Sequence, residues 1–317
     1  METPGAEHAR AVAAAYSGRG VAGVRRFPEG LCHFVFEVVL EDGALLVVRL
    51  ARPENERLLA GAVFWEERLR TAGVPVARIL EADLEKRRCP FAYLILERLE
   101  GADLGEVYPE LTAGGKVVLA GRMAALQRAV ATLPLCRMYG DAPSYAEPGA
   151  HGSWESVVAA NIATCRGRVQ GNPLLRGADI DRLDAAAAAL KADFAGVEAR
   201  AFLDDATTKN VIVTADGRLS GIVDVDTVCF GDPLFALALT RAAFAKLGYD
   251  SVYTDVWAEA LGLGAKGRRR LSFYTALFAA ILLSEHGLRF NRDTDVEIER
   301  GGVGRLRAIF DGELGRS

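Results

Sequence analysis

The sequence predicts an α+β fold in two unequal lobes: a small antiparallel β-sheet first, then a mostly helical lobe. Three observations carry this. β-rich runs crowd the first hundred residues around one long amphipathic helix. Helical periodicity takes over after Gly101. The length, 317 residues, exceeds the roughly 150 usual for one domain. The expected division is 1–97, a small N-terminal lobe, and 98–317, the helical lobe.

The elements follow in order. Residues 1–20 read as a short helix ending near Ser17-Gly18. Val35–Leu40 and Leu45–Leu50 are β-rich runs joined by Glu41-Asp42-Gly43, and Asp-Gly between such runs signals a hairpin. Asn55 to Ala72 is helical in period, with Leu58, Ala62, Trp65 and Leu69 on one face, and Gly73-Val74-Pro75 stops it. Two short strands follow, near Val76–Ala82 and Phe91–Glu97. Lys116–Leu133, Ser153–Gln170 and Asp179–Phe194 read as helices, and Pro143–Gly152 as a loop. Val211–Val213 and Gly221–Val225 form a second hairpin around Asp216-Gly217, and helices return from Leu234. Arg268 to Arg270 read as a solvated helix start.

Composition narrows the function. Hydrophobic residues make up 50% and charged residues 25%, an ordinary globular mix. The formal charge is −4, with no basic arm, which argues against a sequence-independent nucleic-acid binder. Five widely spaced cysteines without a Cys-x-x-Cys pair support neither a zinc knuckle nor a disulfide framework and fit a cytoplasmic protein. The longest apolar stretch, Ala276–Leu283, is too short to span a bilayer, and the N-terminal stretch does not read as a signal peptide.

The chemistry concentrates in residues 201–233, which hold Asp204, Asp205, Asp216, Asp224, Asp226 and Asp232. Asp205 and Asn210 precede the first strand of the hairpin and Asp224 ends the second, so an antiparallel pairing brings the three to one mouth. Two carboxylates and an amide oxygen suit a hard cation such as Mg²⁺, which is usually held by one or two carboxylates plus substrate phosphates. A carboxylate left off the metal can orient a hydroxyl and accept its proton. Asp216 reads as turn chemistry and Asp232 as an N-cap for the helix starting at Pro233. Lys209 reads as a loop lysine and His33 as a loop or strand-end residue. Arg49, flanked by apolar neighbours on a strand, needs an anionic partner. Asp224-Val225-Asp226-Thr227 also reads as the Asp-x-Asp-x-Thr of haloacid-dehalogenase-like phosphatases, but βα units would have to follow it, and the remainder reads as helices.

Leu203-Asp204-Asp205-Ala206-Thr207-Thr208-Lys209-Asn210, Val223-Asp224-Val225-Asp226 and Gly231-Asp232-Pro233 together resemble the catalytic core of the aminoglycoside phosphotransferase and choline-kinase-like family, small-molecule relatives of protein kinases. That family reads His-Gly-Asp-x-x-x-x-Asn, a hairpin, Ile-Asp-aromatic-acid and Gly-Asp-Pro. The resemblance spans most of residues 20–240 and implies a protein-kinase-like two-lobed fold. It implies Asp205 as catalytic base, Asn210 and Asp224 as Mg²⁺ ligands, and Asp226 as an accessory carboxylate at the metal. It places residues 27–38 at the nucleotide-phosphate loop, Arg49 against the α/β-phosphates, and the backbone of Glu97 and Leu99 against adenine, with the Glu97 side chain structural.

The implied activity is ATP- or GTP-dependent phosphoryl transfer to a hydroxyl of a small molecule, in a protein with no nucleic-acid or membrane partner. Aminoglycosides, macrolides, sugars and amino alcohols are the acceptor options. The acceptor is expected against C-terminal acids, among them Glu285, Asp293, Asp295, Glu297 and Glu299, with Arg289, Arg292, Arg300, Arg305 and Arg307 interleaved. Three departures stand out: Leu203 replaces the loop His, Arg49 stands where protein kinases have Lys, and the expected Glu partner on the next helix is Ala62, which leaves Glu66 or Glu56 to substitute or the pair missing. The phosphate loop has only Gly30. The lost loop His and the unclear Glu partner motivate the alternative of a catalytically weak nucleotide-binding module, a pseudokinase.

Overall fold

The computed structural model describes residues 3–27, 32–290 and 294–317. Gly30, Arg292 and Asp293 lie outside them. Helix α1 (Ala6–Ser17) ends on Gly18, whose φ of 65° suits a residue without a side chain. Strands β1 (Val21–Phe27), β2 (His33–Leu40) and β3 (Leu45–Ala51) lead into helix α2 (Glu56–Thr71), followed by β4 (Ile79–Asp83) and β5 (Tyr93–Glu97). The five strands form one antiparallel sheet in the order β1-β2-β3-β5-β4. The hairpin and the inserted helix stand where the sequence puts them, whereas β1 carries no alternation clear enough to predict.

Strand alternation decides which side chains meet. Phe34, Phe36, Val38 and Leu40 face α1 and pack with Ala9, Val12 and Ala13. The opposite face carries Val47, Ala51, Leu94 and Leu96, which pack with Leu59 and Ala62 of α2. Arg49 pairs with Val35 and Leu94 and shares this inner face, as does His33, paired with Ala51. The sheet thus presents a cation and an imidazole toward the rest of the chain.

The remainder is β6 (Ala102–Asp103), α3 (Leu104–Val107), α4 (Ala113–Val130), β7 (Gly140–Ala142), α5 (Trp154–Arg168), α6 (Gly177–Ala189), α7 (Lys191–Phe194), β8 (Arg200–Phe202), β9 (Val211–Val213), β10 (Leu219–Ile222), β11 (Val228–Gly231) and helices α8 (Leu234–Leu247), α9 (Val252–Ala260), α10 (Ala265–Ser284) and α11 (Arg300–Leu314). The helix expected over 179–194 is split in two at Leu190. Two small sheets, β10-β9-β6 and β7-β11-β8, sit in the helical part. The Val74–Val76 segment is not the start of β4; Val76 bridges to Ile222, and Ile222 N–H donates to the Pro75 carbonyl at 2.7 Å. Gly221 permits this approach, because a Cβ there would fall 2.7 Å from the Pro75 oxygen. No helix among the described residues is long and apolar enough to cross a membrane.

Behind the second hairpin, Gly231-Asp232-Pro233 forms a buried junction. Asp232 caps α8 by accepting from Leu234 N–H at 3.2 Å, as the sequence implies, and also accepts from Arg270 at 2.7 Å and Tyr274 at 3.0 Å. Tyr274 in turn accepts from the Trp154 indole at 2.7 Å. The solvated helix start read at Arg268 to Arg270 holds for Arg268 and Arg269, which are exposed, although Arg269 also donates to the buried Asp193 at 2.7 Å; Arg270 departs from it, being half-buried and holding Asp232. Gly231 has φ 154°, and a Cβ there would fall 2.0 Å from the Trp154 ring. Gly231→Ala therefore combines overpacking with backbone strain and is expected to cost about 3 kcal/mol or more, read as a lowered urea midpoint.

A second buried carboxylate, Asp179 at the start of α6, accepts from Arg176 N–H and from Arg307, both at 2.9 Å. Burial opposes its charge, but these partners outweigh burial and hold its pKa below the ordinary carboxylate value. Its contribution is therefore present above the unfolded pKa, about 4, and fades as pH falls through the lower folded value. Arg307→Met is expected to destabilise the protein by roughly 3 kcal/mol near neutrality. Urea unfolding repeated at decreasing pH should show that difference shrink in acid.

Candidate active site

The second hairpin places the acids. Strand β9 pairs with β10 through a turn in which Gly217 has φ 83° and Asp216 accepts from Arg218 at 2.7 Å, the turn role expected of it. Asp205 and Asn210 lie before β9, and Val223 N–H donates to the Asn210 carbonyl at 2.9 Å, setting Asp224 beside them. Asn210 donates from Nδ2 to the Asp205 carboxylate at 2.9 Å and to its backbone carbonyl at 3.0 Å. Thr207 donates a further bond to the carboxylate at 3.1 Å. Asp205 is open to solvent yet sits in a recess dense with protein atoms. Desolvation there, then the nearby Asp224 charge, raises its pKa to about 6.

Asp224 and Asp226 meet the sheet. Arg49 Nη2 donates to Asp224 Oδ1 at 2.6 Å and to Asp226 Oδ2 at 2.7 Å. His33 Nε2 lies 2.8 Å from the same Asp226 oxygen. Burial disfavours the Arg49 charge, but Asp226 and Asp224 reverse that and raise its pKa above the ordinary guanidinium value. Asp226 is buried too, and Arg49 and then His33 override that penalty, holding its carboxyl below the usual range. Asp224 has φ 61°, a left-handed backbone that costs a non-glycine residue on the order of 1 kcal/mol.

Neither acid proposed as the Arg49 partner reaches it. Glu56 pairs with Lys86 at 2.9 Å and Glu66 with Arg70 at 3.4 Å. Ala62 occupies the buried helix position, and the countercharge comes from Asp224 and Asp226 instead. Helix α2 comes close enough for this because of Gly61, where a Cβ would fall 2.1 Å from the Asp226 carbonyl oxygen.

Two residues to which the sequence reading gave no role in the site support it: Gln127, which it did not single out, and His33, which it read as a loop or strand-end residue. Gln127 of α4 donates to the Leu203 carbonyl at 2.7 Å, and its Oε1 accepts from Leu203 N–H at 3.0 Å. The loop that lacks a histidine is thus braced through its main chain. His33 is the other, and its signal was parity: it shares a sheet face with Arg49.

Glu97 N–H donates to the Arg78 carbonyl at 3.0 Å, and the Glu97 carboxylate accepts from Arg78 N–H at 2.8 Å, so this side chain is structural. Leu99 N–H has no hydrogen bond among the described residues, whereas its carbonyl accepts from Arg98. Leu99, Val47, Ile79 and Val223 border the inner apolar cluster between this segment and Asp224. Beside Asp205 stand Asp204 and Asp141; burial raises both carboxyls, and for Asp204 the charges of Asp141 and Asp205 add to it. Of the C-terminal acids, Asp295 and Glu297 line a separate shallow pocket with Arg289 and Thr294, and Glu299 pairs with Arg305.

An apolar cluster, a buried cation and a trio of oxygen-bearing side chains meet at the junction of sheet and helices, in a chain whose architecture is protein-kinase-like. Residues 23–274 match the model of the phosphotransferase enzyme family, and the chain belongs to that family. Solved structures agree in fold. A thermostable mutant of aminoglycoside phosphotransferase APH(4)-Ia aligns over 97% of this chain and 96% of its own, at 17% identity and a TM-score of 0.64. The GDP and kanamycin complex of APH(2")-IIIa aligns over 98% and 99%, at 13% identity and 0.68. A putative fructosamine-3-kinase from Thermobifida fusca aligns over 97% and 100%, at 18% identity and 0.61. No curated protein sequence matches.

The Gly61 contact gives a test of how tightly α2 couples to the acids. Gly61→Ala must push helix or loop by a fraction of an ångström or more, and phosphoryl-transfer turnover is expected to fall roughly 10–100-fold while the fold persists. Steady-state kinetics with circular dichroism on the same sample checks both halves.

Proposed function

We propose that this protein transfers the γ-phosphoryl group of ATP or GTP to a hydroxyl of a small molecule. The observation that carries the reading is the meeting of Asp205, Asn210 and Asp224 at the foot of the second hairpin, opposite a cation on the sheet. Asp205 orients the acceptor hydroxyl and takes its proton, and a pKa near 6 leaves it ionised at neutral pH yet basic enough to help. Asn210 steadies Asp205 through its amide nitrogen. Arg49 supplies positive charge where the α- and β-phosphates would lie, and Glu97–Leu99 offer backbone groups to the base. Catalysis of this kind is mainly positioning and electrostatics.

The residues fit Mg²⁺. Asp226 Oδ1 is buried with no hydrogen-bond partner among the described residues, and Asn210 Oδ1 and the second oxygen of Asp224 are further hard donors. Among the described residues no three His, Cys, Asp or Glu side chains form a ready-made metal cage. Such an ion, when bound, offsets charge developing on the transferred phosphoryl group. Asn210, Asp224 and Asp226 are the residues that would hold it.

The acceptor wall proposed here is the recess of Asp204 and Asp141 beside Asp205, which suits a polyhydroxylated or amine-bearing molecule. The neighbours in complex with hygromycin B or kanamycin, and with AMP-PNP or GDP, support an acceptor and co-substrate of that general kind. The pseudokinase alternative drew on the lost loop histidine and the missing glutamate. The Gln127 clamp and the Asp224–Arg49–Asp226 pairing count against it by filling both structural roles.

Asp205→Asn is expected to lower kcat by 10²–10⁴-fold, about the range for a general base, with nucleotide KM nearly unchanged. Asp224→Asn should instead raise the KM for the metal–nucleotide complex. Assays against a panel of hydroxylated acceptors measure both; an unaltered kcat in Asp205→Asn removes the base assignment.

A further inference from the structure

We infer that Arg98 makes this site selective for an adenine nucleotide over a guanine nucleotide. The inference deepens the phosphotransferase reading above and rests on it. Selectivity at a base edge comes from matching donors to acceptors, because a donor left without an acceptor loses the bond it made to water. Adenine offers an acceptor, N1, between the N6 amino donor and a C2–H that asks for no partner. Guanine offers an acceptor, O6, followed by two donors, N1–H and the N2 amino group.

The segment after β5 answers the first pattern. Leu99 N–H makes no hydrogen bond among the described residues, which leaves one donor for adenine N1 or guanine O6. With that donor spent on O6, the N1–H of guanine needs an acceptor beside it, and the nearest main-chain one is the carbonyl of Leu99 itself. Arg98 Nη1 already donates to that carbonyl, and Arg98 Nη2 lies 3.4 Å from the carbonyl of Gly101. The donors of guanine would therefore meet the N–H groups of a guanidinium. Adenine brings its C2–H to the same place and loses nothing.

The guanidinium is anchored. Arg98 Nε donates to Glu37 Oε2 at 2.9 Å, and Arg25 Nη2 donates to the other Glu37 oxygen at 3.0 Å. Burial opposes the Glu37 charge, but Arg98 and Arg25 outweigh it and hold the carboxyl below its ordinary pKa, so the anchor stays ionised near neutrality. Glu37 lies opposite Val47 on β3, and Val47 and Leu99 both border the inner apolar cluster. Arg98 thus ties the segment assigned to the base to the sheet beside it. Swinging it aside to admit guanine would break a charge-assisted bond to a carboxylate as well as the bonds to the main chain.

The test is isothermal titration calorimetry of the full-length protein in Mg²⁺ with non-hydrolysable ATP and GTP analogues. The wild type is expected to bind the ATP analogue about 10–100-fold more tightly, the range for one or two unmet donors. Arg98→Met should bring the ratio toward unity, chiefly by tightening the GTP analogue, a shift that a merely structural role would not produce. A wild type that binds both alike or prefers the GTP analogue overturns the inference, as does a folded Arg98→Met protein with the wild-type ratio. Should Arg98→Met fail to fold, Glu37→Met, which keeps the guanidinium but removes its anchor, is read in its place, and an unchanged ratio there overturns the inference too. Binding of neither analogue sinks the phosphotransferase reading itself, an outcome distinct from a lost preference.

Discussion

A guanidinium on the central strand of a sheet, buried among apolar residues, is intolerable without countercharge, and much of this active site is arranged to supply it. Removing one partner from a buried ion pair costs about 3–5 kcal/mol. Asp224 and Asp226 are those partners, and they come from the far side of the junction, 175 and 177 positions along the sequence from Arg49. The pairing therefore ties the sheet to the second hairpin. Gly61 and Gly221 are the concessions that allow it, each giving up a side chain so that a backbone can come close.

The acids are arranged by opposing environments. Asp226 is held ionised by the cation and imidazole around it, whereas Asp205, lacking a cation, is pushed toward neutrality. Two carboxylates a few residues from a shared hairpin thus acquire different chemical characters. Such separation is what a site needs when one group must stay charged and another must exchange a proton.

The broad architecture was legible because it rests on local signals. Alternation in Val35–Leu40 and Leu45–Leu50, the two Asp-Gly turns and the spacing of Asp205, Asn210 and Asp224 all survive in the fold. What escaped depends on contacts between distant segments. Nothing near His33 announces an aspartate 193 positions later, and Gln127 sits in an ordinary helical repeat. Arg269 and Arg270 give no sign in the sequence of their partners, Asp193 and Asp232, because those lie on other elements. The short strands β6, β7, β8 and β11 have two to four residues each, too few for periodicity to register.

The Gln127 clamp has an evolutionary corollary. An amide that satisfies both main-chain groups of residue 203 asks nothing of that residue's side chain except that it fit an apolar niche. Position 203 is thereby released to drift among hydrophobic residues, while the constraint migrates to a helix some seventy-six positions upstream.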